Sequence, residues 1–268
     1  MEVNSATVLI TGGSSGIGFE LSKLFAADGY RLILVSKPAE ELAEAKAALE
    51  QQFPKVKIST IQKDLTHAHA PEEVYNEVRG MGMPVDVLVN NAGFGIFGYF
   101  AENDIDAEYN SILLNCGAVY RMTRLFLPDM ITRQRGRILN VASVAAFQPN
   151  PLFGVYGATK AFVLSMSRAL RFELKQHKTG ITVTTLCPPP TRTKFIEVAG
   201  MQKSAIFRHF DSLDAPAVAW YGYNALFKGK EMVIPGGYIG FLYRLTHLLL
   251  PNRLLMRLAF LKLNMKTK

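Results

Sequence analysis

The sequence predicts an α/β protein in which a doubly wound, parallel, seven-stranded sheet forms the middle of a three-layer αβα sandwich. Apolar segments of strand length alternate with helical segments along most of the chain. The helical segments are long enough to act as crossovers, which join parallel strands in a right-handed sense. The strands are nearly continuous apolar runs, such as Val-Asp-Val-Leu-Val at residues 85–89, which is typical of strands buried on both faces.

Strands and helices follow one another in a regular order. The strands are predicted at residues 7–11, 31–36, 56–62, 85–90, 136–142, 181–187 and 231–234. The helices are predicted at residues 16–28, 38–52, 71–80, 107–115, 118–133, 155–177 and 214–227. No internal repeat or linker interrupts the series, and a chain that is 49% hydrophobic can bury one large core. We therefore expect a single domain over residues 1–268.

Two segments fall outside this alternation. Residues 191–213 form a long insertion after the sixth strand, at the sheet edge where ligands bind in such folds. The apolar residues of this insertion suit a lid over an apolar substrate, and they suit equally well a loop helix that packs on the core. Residues 236–268 are basic and apolar, and we expect a helical extension there.

Positive charge is concentrated in that extension. The formal net charge is +8, and beyond Glu231 the chain has six lysine or arginine residues and no acid. Such a segment can lie on an anionic membrane surface as a peripheral contact. It can also cover the core or form a subunit interface, which we favour because interfacial helices usually show a cleaner polar face. No nucleic-acid recognition motif accompanies the charge, so we expect no nucleic-acid partner.

The remaining composition predicts a cytoplasmic protein, with a peripheral position at a membrane surface as the alternative. The first residues lack the basic and apolar regions of a secretion signal, and no long uncharged apolar run predicts a spanning helix. Cys116 and Cys187 are expected to be reduced thiols rather than a disulfide. The five histidines form no ligand cluster, so no metal site is expected.

A glycine-rich turn follows the first strand, with the pattern Thr-Gly-x-x-x-Gly-x-Gly at residues 11–18. Glycine lets the backbone turn tightly and approach a pyrophosphate, whose charge is met by N–H groups at a helix N-terminus. The spacing differs from the Gly-x-Gly-x-x-Gly of many dinucleotide-binding turns. Alone, it is a weak signal, because a glycine-rich turn can be purely structural.

A second pattern, Tyr156-Gly-Ala-Thr-Lys160, lies in the sixth predicted helix. Positions four apart share a helix face, so the phenol and the ammonium can meet. A nearby cation favours phenolate, and we expect Lys160 to lower the pKa of Tyr156 from its ordinary value of about 10. A tyrosine tuned in this way can exchange a proton with a substrate oxygen. The pair and the glycine turn together predict a hydride-transfer enzyme.

These motifs, in this order, resemble the short-chain dehydrogenase/reductase family in its single-domain, Rossmann-like form. The resemblance runs from Val3 to about Pro235. Besides the two patterns above, it rests on Asp64-Leu65, Asn90-Asn91-Ala92-Gly93, Asn115 and Ser143.

The resemblance implies four catalytic residues. Tyr156 is expected to be the general acid in reduction and the base in oxidation, and Lys160 to hold the nicotinamide ribose and favour tyrosinate. Ser143 is expected to hydrogen-bond the substrate oxygen, and Asn115 to hold a water that links Lys160 to solvent. Taken singly, Ser143 could be a turn residue and Asn115 a helix-breaking residue; the presence of all four favours catalysis.

The resemblance also implies contacts to a nicotinamide dinucleotide through the glycine turn, the ends of the strands and the start of the insertion. The expected cofactor-binding residues are Gly12, Ser14, Ser15, Gly16, Ile17, Gly18, Lys37, Asp64, Leu65, Asn91, Ala92, Gly93, Tyr156, Lys160, Pro188 and Thr193. One departure is Pro189, which replaces a glycine usual in the family, fixes φ and removes an N–H.

The end of the second strand discriminates between the two dinucleotides. An acid there would bind a free ribose 2′-hydroxyl, whereas a base would pair with a 2′-phosphate. This chain has Ser36 and Lys37 and no acid at that point, which favours NADP(H) over NAD(H). The alternative is that Lys37 is only a solvated residue before Pro38.

The sequence thus predicts an NADP(H)-dependent oxidoreductase that interconverts a carbonyl and a secondary alcohol on an apolar small-molecule substrate. The alternative is a dinucleotide-binding sensor or scaffold with little turnover, for which Pro189 is weak support. The resemblance further implies a homodimer or homotetramer formed through the helices at residues 107–133 and 155–177.

Overall fold

The computed structural model describes residues 6–201, 213–237 and 251–264. The strands are β1 (Thr7–Thr11), β2 (Arg31–Ser36), β3 (Ile58–Gln62), β4 (Val87–Asn90), β5 (Gly136–Val141), β6 (Ile181–Leu186), β7 (Thr191–Arg192), β8 (Leu213–Asp214) and β9 (Met232–Val233). Seven of them form one parallel sheet in the order β3-β2-β1-β4-β5-β6-β9, which confirms the predicted doubly wound class. The strand order reverses between β1 and β4, and ligands bind at such a switch point.

Helices cover both faces of the sheet. The α-helices are α1 (Gly16–Ala27), α2 (Ala39–Gln52), α3 (Ala70–Gly80), α4 (Ile105–Ile112), α5 (Val119–Thr132), α6 (Gly154–Gln176), α7 (Phe195–Val198), α8 (Ala215–Phe227) and α9 (Asn252–Asn264). Because successive strand side chains point to opposite faces, Val8 and Ile10 pack with α1, α2 and α8, whereas Leu9 packs with α3, α5 and α6. Both faces of β1 are thus buried, as its apolar sequence predicts.

The helical region between β4 and β5 differs from the sequence prediction. Two helices with a break between residues 115 and 118 were expected, but α4 and α5 are joined without interruption by a π-helical turn, Leu113–Ala118. A π turn widens the helix by one residue and is frequent at functional sites. Here it contains the buried Asn115, whose side chain bonds to backbone outside the helix.

Only parts of the two predicted extra segments lie within the described residues. Of the predicted lid, residues 191–201 and 213 are described, and they contain α7 and the short pairing of β7 with β8. Of the predicted extension, residues 236–237 and 251–264 are described, and they contain α9. No helix among the described residues is both long enough and apolar enough to cross a bilayer.

Candidate active site

The glycine turn after β1 brings the backbone of the turn against α1. Gly12 has a φ of +64°, a left-handed conformation that other residues rarely adopt. A β-carbon on Gly18 would lie 2.1 Å from the carbonyl oxygen of Gly12, so only glycine allows α1 to approach this closely. Ser15 immediately precedes α1, and Ile17 packs against the core beneath the turn. Such a turn can present N–H groups to a phosphate at the start of the helix.

Hydrogen bonds fasten this turn to the end of β4. The amide nitrogen Nδ2 of Asn91 donates to the carbonyl oxygens of Thr11 and Gly12, at 3.0 Å in each case. The Thr11 hydroxyl accepts from the backbone N–H groups of Asn91 and Ala92. The side chain of Asn91 therefore holds the two strand ends together, while Ala92 and Gly93 line a neighbouring cleft.

That cleft has a volume of about 890 Å³ and extends from the glycine turn across the ends of β2 and β3. Its walls include Gly12, Ser36, Lys37, Asp64, Leu65, Ala92 and Gly93. The size of the cleft, its place at the switch point and the close glycine turn all fit a dinucleotide.

Four polar residues form a cluster at the far end of the cleft, which we call the ribose-end cluster: Ser14, Ser36, Lys37 and Asp64. The hydroxyls of Ser14 and Ser36 are hydrogen-bonded at 2.8 Å. The Lys37 ammonium lies 2.8 Å from a carboxylate oxygen of Asp64. Burial by itself would raise the pKa of Asp64, but hydrogen bonds from Lys37 and Thr66 outweigh it and lower this pKa to about 2.

Three further polar residues meet where the C-terminal end of β5 lies beside the start of α6. We call them the relay cluster: Ser143, Tyr156 and Lys160. Ser143 follows β5 and caps a short 3-10 helix, Val144–Phe147, by accepting from the N–H of Ala145 at 3.1 Å. Tyr156 lies in the first turn of α6, only 8% exposed, and is hydrogen-bonded to Ser143.

The electrostatics of Tyr156 differ from the sequence prediction. Burial raises the pKa of Tyr156 to about 12, and the hydrogen bond with Ser143 offsets only part of this rise. Lys160 was expected to lower that pKa, but its ammonium lies 5.6 Å from the centre of the tyrosine ring and is itself only 4% exposed. Without the cofactor, desolvation therefore outweighs the lysine, and the neutral phenol is the favoured form.

Lys160 points from α6 towards the cleft and is held by backbone. Its ammonium donates to the carbonyl oxygen of Val141 at 2.9 Å. Burial lowers the pKa of Lys160 to about 8. A β-carbon on Gly93 would lie 3.2 Å from the ammonium, which places Lys160 directly beside the wall of the cleft.

Asn115 connects the π turn to the relay cluster. Its amide donates to the carbonyl oxygen of Phe94 at 2.8 Å and to the Thr159 hydroxyl at 3.0 Å, and its oxygen accepts from the N–H of Phe94 at 3.1 Å. Thr159 in turn donates to the carbonyl oxygen of Tyr156. Asn115 therefore ties the loop after β4 to the first turn of α6.

The described part of the insertion, residues 191–201 and 213, packs against Tyr156. The Phe153 ring stacks on Tyr156 with 4.3 Å between ring centres, and Phe195 of α7 lies 5.3 Å from the same ring. Lys194 pairs with Glu41 of α2 at 2.9 Å. The described part of the insertion therefore contacts both the relay cluster and the helix that follows the ribose-end cluster.

The remaining predicted residues lie where the lid begins. The methyl group of Thr193 would be 3.2 Å from a β-carbon on Gly16, so Thr193 covers the glycine turn. The carbonyl oxygen of Pro188 accepts from the N–H of Val144, beside Ser143. Pro189 is buried, and its carbonyl accepts from the Thr191 hydroxyl at 2.8 Å.

Sequence reasoning missed several partners in this region. The bond from Ser14 to Ser36, the pairing of Lys37 with Asp64 and the pairing of Lys194 with Glu41 all join residues far apart in sequence. The only sequence signal for the bond between Ser14 and Ser36 is a serine at the end of β2, next to the strand that leads into the glycine turn. The other pairs have no signal in a single sequence.

Comparisons with known proteins agree with this geometry. The profile of the family described as short chain dehydrogenase matches residues 6–204. A very-long-chain 3-oxoacyl-CoA reductase of Phaeosphaeria nodorum is 39% identical over 63% of this chain, and the match spans only 50% of that relative. A fatty acyl-CoA reductase of Acinetobacter baylyi is 31% identical over 96% of this chain and 85% of the relative.

Among solved structures, a short-chain dehydrogenase from Sphingobium yanoikuyae in complex with NADPH has 30% identity and a TM-score of 0.77. The match covers 85% of this chain and 87% of that one. The matched profile, the seven-stranded sheet and the related chains agree with one another. This chain therefore belongs to the short-chain dehydrogenase/reductase family.

Proposed function

We propose that the protein is an NADP(H)-dependent oxidoreductase that interconverts a carbonyl and a secondary alcohol on an apolar substrate. The observation that carries the proposal is the convergence of Ser143, Tyr156 and Lys160 beside a dinucleotide-sized cleft. The three side chains come from two elements, and only the fold brings them together. Their placement supports proton transfer to a substrate oxygen at the edge of the cleft.

The relay cluster supplies the proton chemistry. A bound nicotinamide dinucleotide supplies the hydride, which goes to the carbonyl carbon in reduction. The Tyr156 hydroxyl donates its proton to the carbonyl oxygen, and Ser143 donates a hydrogen bond to that oxygen as negative charge develops. Lys160, as an ammonium, stabilises the tyrosinate that remains. The raised pKa of Tyr156 keeps the proton in place until the substrate arrives.

The ribose-end cluster supports NADP(H) as the cofactor. The Ser14 and Ser36 hydroxyls and the Lys37 ammonium are donors suited to a 2′-phosphate. The Lys37 ammonium is already paired with the Asp64 carboxylate, so a phosphate must compete with that carboxylate for the ammonium. The NADPH complex of the Sphingobium relative supports the same choice. NAD(H) is the alternative cofactor.

The lid and the relatives together support a substrate with an acyl chain. Phe97, Phe153, Phe195 and Met201 pack around Tyr156 in one apolar cluster. A carbonyl that reaches Tyr156 must therefore carry groups that can replace these contacts. The two relatives, a very-long-chain 3-oxoacyl-CoA reductase and a fatty acyl-CoA reductase, are named for substrates that fit this requirement.

The decisive experiment follows NADPH oxidation with 3-oxoacyl-CoA thioesters of increasing chain length and with simple ketones. We expect activity to rise with chain length, because longer chains bury more apolar surface. The Tyr156→Phe variant, which keeps the ring but loses the proton, should reduce the rate by about 10²- to 10⁴-fold. Activity that survives in this variant would contradict the assignment.

A sensor or scaffold remains the second candidate, because Tyr156 is covered by Phe153 and Phe195 in this structure. In that case NADPH would bind with no turnover of any substrate in the panel. Fluorescence of bound NADPH, measured alongside the rates, separates this outcome from a protein that fails to bind the cofactor.

Two features of the proposal concern assembly and location. We propose a homodimer or homotetramer formed through α4, α5 and α6, which carry exposed apolar side chains at Tyr109, Tyr120, Phe162 and Phe172. Light scattering tests this assembly, and a monomer would contradict it.

We also propose a cytoplasmic location with peripheral membrane contact through residues 236–268. The sequence favoured a core-covering segment or a subunit interface, but Leu254, Leu258 and Leu261 of α9 are exposed, which supports the membrane contact instead. Co-sedimentation with liposomes before and after removal of residues 236–268 tests this contact, and unchanged sedimentation would contradict it.

A further inference from the structure

Helix α9 has an unusual distribution of side chains for a helix at the end of a chain. At 100° per residue, Arg253, Arg257, Leu261, Leu254 and Leu258 follow one another around an arc of about 140°. All five side chains are exposed, and the leucines are 44%, 42% and 61% exposed at positions 254, 258 and 261. We call this arc the outer face of α9.

The rest of α9 is less exposed than the outer face. Leu255, about 130° from the middle of the outer face, is 6% exposed, and Met256, Ala259 and Phe260 are partly buried. The outer face is therefore the side of the helix that solvent reaches. A surface helix normally turns polar residues to solvent, and here three leucines lie there beside two arginines.

We propose that the outer face of α9 binds an anionic lipid bilayer, with its leucines in the acyl boundary and its arginines at the lipid phosphates. The inference rests on the proposed membrane contact of residues 236–268 and assigns both the binding face and the kind of lipid. Leucine and arginine side by side on one face are the features of a helix that lies in the plane of a membrane surface.

Charge decides in favour of this partner over a second copy of the chain. The sequence beyond Glu231 has six basic residues and no acid, so two such segments would bring like charges together. An anionic surface attracts each arginine instead, and the leucines bury apolar area that water would otherwise contact. The exposed leucines also make a nucleic acid an unsuitable partner for this face.

The test is co-sedimentation of the full-length protein with vesicles of phosphatidylcholine alone and with added phosphatidylglycerol. We expect binding to the anionic vesicles that weakens in high salt. Leu254→Gln combined with Leu258→Gln and Leu261→Gln should reduce partitioning at least about tenfold. Arg253→Gln and Arg257→Gln should each reduce it about fivefold at low salt. The control is Ile105→Gln, which removes an apolar side chain of α4 that is even more exposed than the three leucines and should leave binding unchanged.

Several results would overturn the inference: equal binding to neutral vesicles, unchanged binding of the triple leucine variant, or loss of a dimer in that variant with no vesicle binding in the parent. If deletion of residues 236–268 abolishes binding but the leucine variant binds normally, the membrane contact stands and the outer face is excluded. Turnover of a short soluble ketone, measured on the same variants, should be unchanged; it reports on the proposed activity separately.

Discussion

The relay cluster and the ribose-end cluster are built in opposite ways. The relay cluster is buried, and burial beneath apolar rings such as that of Phe153 raises the pKa of Tyr156. The ribose-end cluster lies closer to solvent, and its ion pair controls its charge. Desolvation shifts pKa values strongly, whereas exposed ion pairs are weakened by water and salt. Substitutions should therefore change rate and pH dependence in the first cluster, and cofactor choice, by smaller factors, in the second.

Apart from the loss of Tyr156 itself, the largest effect is expected from Ser143→Ala, which removes a donor to the substrate oxygen. The rate of carbonyl reduction should fall by about 10²- to 10³-fold, while NADPH still binds. Steady-state kinetics and NADPH fluorescence measure the two quantities. Ser111→Ala is the matched control, because the buried Ser111 hydroxyl has no hydrogen-bond partner among the described residues. Equal losses in the two variants would indicate a general effect on folding.

Lys160 predicts a pH dependence of stability in the cofactor-free protein. Its pKa is about 8 in the folded state and 10.5 in the unfolded chain, so the unfolded chain binds more protons between these values. The free energy of unfolding should therefore rise with pH in this window, by up to about 3 kcal/mol. Urea unfolding between pH 8 and 10 avoids the opposite contribution of Tyr156, whose raised pKa destabilises the fold only at higher pH. Burial also raises the pKa of Cys116 from 9.0 to about 11, so Cys116 offsets part of the rise above pH 9, and comparison with a variant at Lys160 separates the two contributions.

Lys160→Met provides the comparison for that measurement, because it keeps the length of the side chain and removes the titrating group. The variant should lose the rise in stability between pH 8 and 10. The same slope in both proteins would show that another group titrates.

At the ribose end, Lys37→Asp should raise the dissociation constant of NADPH by about tenfold or more and change that of NADH little. The substitution replaces an attractive charge by a repulsive one at the expected 2′-phosphate position, next to Asp64. Titration with each cofactor measures the two constants. Lys37→Arg keeps the charge and serves as the control. Equal changes for both cofactors would remove the assignment of Lys37 to the phosphate.

The smallest effect is expected from the ion pair between Lys194 and Glu41. Exposed pairs contribute about 0.2–1 kcal/mol, so Lys194→Gln should speed NADPH dissociation by about two- to fivefold at most. Stopped-flow dissociation measures this rate. Glu41→Gln should have the same effect, and the double variant should add nothing further. Additive effects would show that the two residues act independently.

Much of the architecture follows from sequence patterns because strands and helices leave local, periodic signals. The alternation of apolar strands and helices was sufficient to predict the parallel sheet. The ligand position expected at the glycine turn stays a prediction. The roles of Ser143 and Asn115 came from a family resemblance, since neither residue type carries a signal alone.

Other features depend on packing that one sequence does not encode locally. The spacing of Tyr156 and Lys160 placed both on one face of α6, but it carried no information about the rings of Phe153 and Phe195 that desolvate the phenol. The direction of the tyrosine pKa was therefore predicted wrongly. The continuous helix through Asn115 was missed for a similar reason, because its side chain bonds to the backbone of Phe94, distant in sequence.

Transfer of the hydride itself is the most direct test of the proposed function. The protein would be incubated with NADPH that carries deuterium at the transferable position and with a long-chain 3-oxoacyl-CoA, and the product analysed by mass spectrometry. The expected product is a secondary alcohol with one deuterium on the former carbonyl carbon, formed by the parent protein and almost absent with Tyr156→Phe. Bound NADPH with no labelled alcohol from any carbonyl compound would contradict the enzymatic role.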